Sequence, residues 1–127
     1  MKVLLSIKPQ FAEKIFNGTK RYEYRRKIFK NSNVKSIIVY VTQPIGRILG
    51  EFDISGIEMD TPEAIWSKTN KFSGISEEHF QQYFFGRETA FALKIGNVRK
   101  YELPLDPKKI FTNFTPPQSY MYILKDF

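Results

Sequence analysis

The amino-acid sequence predicts an α+β fold, a small curled β-barrel of about six strands with two or three helices flanking it. Three observations lead there. Short runs of β-branched and aromatic residues recur along the chain between clusters of Gly, Pro and Asn, which is the punctuation of strands and turns. Helix-start signals are few: Pro9, Thr61-Pro62-Glu63 and Ser76-Glu77-Glu78. The 127 residues, 42% hydrophobic and 16% aromatic, are enough for one packed core, so residues 1–127 are expected to form a single domain.

Val3 to Ile7 reads as a strand, and Pro9 opens a helix on which Phe11, Ile15 and Phe16 share a face until Gly18 ends it. Thr19 to Arg26 reads as a second strand, with Tyr22 and Tyr24 on one face and Arg21, Glu23 and Arg25 on the other. Lys30 to Asn33 turns the chain into the β-branched run Val34 to Thr42, which Gln43-Pro44 interrupts. Ile45 to Met59 alternates as one long strand or a hairpin, with Gly50 and Gly56 at bulges. Thr61 and Ser76 cap the next two helices, the second ending near Gly86. Thr89 to Ile95 and Val98 to Leu103 are expected to be a hairpin turning at Gly96-Asn97. Pro107 to Ile110 reads as one helical turn and Tyr120 to Leu124 as the closing strand. Strand order is not readable from these signals.

Composition narrows the chemistry. Without cysteine there is no disulfide, thiolate metal site or thiol nucleophile, and His79 is the sole histidine. The sequence therefore points to no metal and no cofactor. The opening run Val3 to Ile7 is too short for a signal-peptide core, and no stretch reaches the roughly 20 apolar residues of a membrane helix, so a soluble, cytoplasmic protein with no membrane partner is expected. The net charge is +7, and residues 1–47 hold eleven lysines and arginines against two acids. Such a concentrated excess suits a polyanion, although a solvated basic face serving solubility alone has the same composition. Oligomeric state is not legible.

The segment Gly18-Thr19-Lys20-Arg21-Tyr22-Glu23-Tyr24-Arg25 carries a resemblance. It is similar to the G-x-K-x-x-E-x-R signature of the ASCH domain family, within the PUA-like group, and lies where that family has it, between the first helix and the second strand. The upstream segment Leu4 to Pro9, the pair Val39 to Pro44 and Gly50-Glu51-Phe52, and Pro117 to Tyr120 near the end resemble the family's flanking strands, as in small single-domain members. The resemblance implies a PUA-like barrel that binds RNA or a modified nucleoside, with single-stranded DNA as a further ligand class. Some small members are amidohydrolases that act on an acylated cytidine through a lysine, a threonine and a glutamate. Lys20 matches the lysine, but Glu23 stands at the threonine position, which puts that chemistry in doubt. A transcription-linked DNA-binding regulator is a third reading.

The chemistry of the same residues can be stated without the family, and spacing alone favours the plainer ion-pair reading until the resemblance is added. Glu23 and Arg25, two apart on a strand, project together, with Lys20 at the strand entrance. A carboxylate beside two cations keeps its charge and can accept from a base edge, while the cations donate to phosphate or carbonyl oxygens. The plainer alternative is a surface ion-pair ladder worth about 0–1 kcal/mol per pair. Gln118, held extended by Pro116-Pro117, is a candidate base-reading amide. Thr42 and Ser119 are turn caps by position and pocket walls by resemblance. If the chain is an enzyme, Lys20 and Glu23 are the catalytic candidates, Glu23 as base on water and Lys20 on the oxyanion. Glu63, Glu77 and Glu78 sit in helix first turns where acids are favoured locally; Tyr22 and Tyr24 read as packing, and Trp66 and the run Tyr83-Phe84-Phe85 as helix faces seated on the sheet, of which an exposed member could stack a base.

Overall fold

Strand β1 (Lys2–Ile7) sends Val3, Leu5 and Ile7 to one face of a sheet and Leu4 to the other, so both faces are buried there. Helix α1 (Pro9–Phe16) starts with Pro9 at its first turn and buries Ala12 and Ile15. Gly18 then adopts φ 86°, a left-handed conformation that a side chain resists. In the computed structural model, which describes residues 1–124, the chain continues through β2 (Tyr22–Arg25), β3 (Ser36–Val41), β4 (Arg47–Asp60), α2 (Pro62–Thr69), a 3-10 turn (Asn70–Phe72), α3 (Glu77–Tyr83), β5 (Ala90–Leu105), α4 (Pro107–Ile110) and β6 (Met121–Ile123). Among the described residues there are four α-helices, the two or three expected to flank the sheet together with the single turn expected at Pro107–Ile110.

The six strands form one mixed sheet in the order β2-β5-β4-β3-β1-β6. Strands β1 and β3 run parallel, from Lys2 opposite Ser36 to Ile7 opposite Val41, and the other pairings are antiparallel. The α+β class stands, but the expected barrel is corrected: among the described residues no ladder joins β2 to β6, and the sheet is open. With four and three residues, these edge strands are too short to close a staggered barrel seam. Side chains draw the edges together instead. Arg25 Nη2 donates to the Ser119 carbonyl at 2.7 Å, and the Tyr122 hydroxyl accepts the Lys30 and Asn31 amides at 3.2 and 3.3 Å.

Two further expectations resolve on the central pair. Where a strand or hairpin was expected over residues 45–59, Arg47–Asp60 form the single strand β4, and Ile45 and Gly46 lie in the turn before it. The hairpin expected at Gly96-Asn97 is absent, because β5 runs straight through it as one strand paired with β4. Gly96 serves close approach rather than turning: a Cβ there would lie 3.2 Å from the Asp53 carbonyl oxygen. Register shifts at Ile48/Gly50 and Ile54/Gly56 mark the bulges that both glycines suggested, and they bend the sheet.

Helices α2 and α3 seat Ile65, Phe80 and Phe84 against Tyr24, Ala90 and Ala92 at the β2 edge. Thr61 and Ser76 cap them, accepting the Ala64 and His79 amides at 3.2 and 3.1 Å, worth about 1 kcal/mol each. Across the sheet, Phe111 and Phe114 cover Leu4, Tyr40 and Ile48. Glu51 on β4, 5% exposed, accepts from Lys2 Nζ at 3.0 Å, Arg99 Nη2 at 2.7 Å and the Tyr101 hydroxyl, tying β1, β4 and β5 together.

Candidate functional site

The turn after α1 determines the course of Lys20. The Thr19 amide donates to Asn17 Oδ1 at 3.0 Å, the Lys20 amide to the Lys14 carbonyl at 3.0 Å, and the Arg21 amide to the Phe72 carbonyl at 2.8 Å. Held this way, the Lys20 side chain runs inward and is only 2% exposed. Its Nζ donates to the Ser73 carbonyl at 2.6 Å and lies 4.8 Å from the Tyr24 ring centroid and 5.5 Å from that of Phe11. Two aromatic faces stabilise a desolvated ammonium by about 2 kcal/mol or more. Gly74, at φ 68°, packs on the stem of this lysine: a Cβ there would lie 2.5 Å from Lys20 Cβ. Burial lowers the Lys20 pKa to about 8, with the Glu23 charge opposing the shift and Lys14 adding to it.

Glu23 and Arg25 lie on one face of β2, as strand alternation requires, and pair at 3.2 Å between Oε2 and Nη1. Both are buried, at 7% and 9% exposure, so this is not the solvated ladder of the plainer reading. Tyr24 packs edge-on against Phe80 with ring centroids 5.0 Å apart, and its hydroxyl shares a 2.7 Å hydrogen bond with Thr69 Oγ1. Burial raises its pKa to about 12, so it stays a neutral phenol.

Lys20, Glu23 and Arg25 line one cleft of about 310 Å³ between α1, β2 and α3, and Gln118 lines it as well. That volume is at the small end of ligand pockets. Ser6 Oγ donates to the Pro117 carbonyl at 2.9 Å and so anchors the segment that carries Gln118. Ser119 lines a neighbouring notch of about 210 Å³ with Arg25, Arg26, Lys27 and Arg87. Thr42 lines neither: its amide donates to the Ile7 carbonyl at 3.0 Å and its carbonyl accepts the Ile45 amide at 3.1 Å, which places it in the turn after β3. Glu63, Glu77 and Glu78 are not among the cleft residues.

Sequence reasoning read His79 as a surface or capping residue and allowed Tyr83 a stacking role without placing it in the site, whereas both line the cleft from α3. His79 meets Phe11 edge-on at 5.2 Å, and the Arg26 guanidinium lies 4.6 Å from the Tyr83 ring centroid. A signal existed. His79 and Tyr83 are four apart and share a helix face, while Phe80 and Phe84, also four apart, turn the adjacent face to the core. The cleft thus offers one carboxylate, two buried cations, an imidazole and flat ring surfaces. Among the described residues no group of three or more His, Asp or Glu side chains is placed to hold a metal ion.

Comparison with known proteins gives a consistent result. The sequence model of the ASCH domain matches residues 5–103. An ASCH domain-containing ribonuclease of Zymomonas mobilis is 30% identical over 127 residues, covering 98% of this chain and 86% of that protein. The crystal structure of ASCH from the same bacterium superposes with a TM-score of 0.91 at 29% identity, covering 98% of this chain and 88% of that one. The large ribosomal subunit protein uL22 of Ureaplasma parvum is 30% identical over 122 residues, 95% of this chain, which spans only 39% of that protein's length.

Proposed function

The chain belongs to the ASCH domain family, and from that footing we propose that it binds single-stranded RNA and seats one nucleotide in the cleft of Lys20, Glu23 and Arg25. The observation that carries this reading is the convergence of three charged side chains, each under a tenth exposed, on one small cleft. Burying such groups is costly unless they are paired, and here the pairing is incomplete: Lys20 Nζ makes one hydrogen bond among the described residues. Glu23 supplies an acceptor for the N–H edge of a base, and Lys20 and Arg25 supply donors for its carbonyls or a phosphate. Tyr83 and His79 offer flat walls, in keeping with the way unstacked RNA bases are held between rings. RNA is chosen over other anions because the Zymomonas relative is named a ribonuclease.

Equilibrium binding of short RNA to the unaltered protein, Lys20→Met and Glu51→Gln tests this. Lys20→Met is expected to weaken binding by tenfold or more, and Glu51→Gln, outside the cleft, to leave it unchanged. Absence of binding at low salt, or equal binding by all three forms, overturns the reading.

Lys20 favours a second reading, RNA cleavage. With its pKa lowered to about 8 it has a neutral fraction at neutral pH and could accept the proton of a 2′-hydroxyl, whose oxygen bonds to the adjacent phosphorus as the 5′-oxygen departs and takes a proton from solvent, leaving a cyclic phosphate, while Arg25 stabilises charge on the phosphorus oxygens. RNA cut in chelator by the unaltered protein and left whole by Lys20→Met supports cleavage; intact RNA with undiminished binding leaves a binding module. The amide-hydrolysing alternative lacks its hydroxyl, since Glu23 occupies that position and the nearby Thr69 hydroxyl is engaged by Tyr24 and the Ile65 carbonyl.

A further inference from the structure

The notch at the end of β2 adjoins the cleft, and the two cavities share Arg25, Arg26, Tyr83 and Gln118. We propose that this notch is a phosphate site for the neighbouring nucleotide of a single-stranded RNA, so that the recognised unit is a dinucleotide or longer rather than a free nucleoside. This rests on the RNA reading of the cleft.

Charge balance argues for it first. Arg25, Arg26, Lys27 and Arg87 converge on a concavity of about 210 Å³ that no carboxylate lines. Glu23 is already paired with Arg25, and Arg26, Lys27 and Arg87 have no ion pair or side-chain hydrogen bond among the described residues. A structural ion-pair network, like the one Lys2 and Arg99 build on Glu51, would have matched these cations with acids. With Arg25 paired to Glu23, the three unpaired cations of the hollow repel one another until an anion enters.

Shape adds a second argument. The Arg26 guanidinium is held over the Tyr83 ring at 4.6 Å, and Arg25 Nη2 is tied to the Ser119 carbonyl at 2.7 Å. Two guanidiniums fixed by packing present planar donors at little entropic cost, which suits phosphate oxygens. Because Tyr83 lines both cavities, a base seated in the cleft directs its sugar and phosphate past that ring into the notch. A basic surface serving solubility alone would need neither the hollow nor the continuity with the cleft.

The test compares nucleosides, dinucleoside monophosphates and a short mixed-sequence RNA on three proteins: unaltered, the double variant Lys27→Ala/Arg87→Ala, whose two residues line the notch and not the cleft, and Lys20→Met. The unaltered protein is expected to bind the dinucleotide about tenfold or more tightly than the nucleoside. In the double variant that advantage disappears, and the slope of log affinity against log salt falls by about 0.7 for each phosphate contact removed, while nucleoside affinity is kept. An unchanged slope, or an equal loss for nucleoside and RNA, overturns the notch as a phosphate site and leaves the cleft reading standing. RNA binding untouched by Lys20→Met but lost in the double variant overturns the cleft reading instead. No RNA binding by the unaltered protein removes both.

Discussion

Lys20 ties the site to a measurable pH response. Its folded pKa of about 8 lies below the ordinary 10.5 because burial outweighs the attraction of Glu23. Below pH 8 the ammonium is charged in both folded and unfolded chains, and the cost of burying it is present in full. Between about 8 and 10.5 the folded chain loses this proton while the unfolded chain keeps it, so the contribution of Lys20 to stability rises with pH, by up to about 3 kcal/mol. RNA affinity should move the other way, since a neutral amine is a weaker partner for an anion. Binding is expected to be several-fold tighter at pH 7 than at pH 9, with no such step in Lys20→Met. A step that survives the substitution assigns the titration to another group. Gly74→Ala makes a companion test, because the added Cβ would strain a left-handed backbone and press on Lys20 Cβ and Cγ. It is expected to lower stability by about 1–2 kcal/mol and weaken RNA binding, as read by denaturant unfolding and titration.

Strands and helices set where such residues meet, and the Glu51 network shows how the sheet is held independently of the site. Burial raises the Glu51 pKa, but hydrogen bonds from Arg99, Tyr101 and Lys2 outweigh it and hold the carboxyl below its ordinary 4.5. A carboxylate lowered in the folded state stabilises above the unfolded value and loses that contribution as pH falls through the folded one. Glu51→Gln is therefore expected to cost about 1–2 kcal/mol at neutral pH, since its cations are partly exposed, and to flatten the acid limb of the stability curve. An acid limb unchanged in slope contradicts this. Tyr24→Phe removes the bond to Thr69 and is expected to cost about 1 kcal/mol by the same unfolding measurement.

Caps, strand alternation and the helix end at Gly18 were legible because each is a local preference: Thr61 and Ser76 cap their helices, and Glu23 and Arg25 share a face. The turn at Gly96-Asn97 was misread because the same two residues serve a straight strand when a neighbouring backbone passes close. Lys20, Glu23 and Arg25 could be grouped from spacing, but their burial could not: that of Lys20 depends on Ser73 and Gly74, more than fifty residues away in sequence. His79 and Tyr83 reach the cleft for the same non-local reason.

At the scale of the whole molecule, the open seam between β2 and β6 and the cleft depend on the same residue. Arg25 bonds Glu23 within β2 and the Ser119 carbonyl beside β6. Arg25→Ala leaves the Glu23 carboxylate buried beside Lys20 alone, and is expected to cost about 2–4 kcal/mol and to loosen the segment carrying Gln118. Amide exchange over residues 116–123 that matches the unaltered protein would contradict that link. The central claim, that RNA occupies the Lys20, Glu23 and Arg25 cleft and leaves by the notch, is tested most directly by amide and side-chain chemical-shift mapping with a short single-stranded RNA. The account expects shifts concentrated at Lys20, Glu23, Arg25, Arg26, Tyr83 and Gln118. Shifts confined to the distant face of β4 and β5 around Glu51 and Arg99, or none at all, would contradict it.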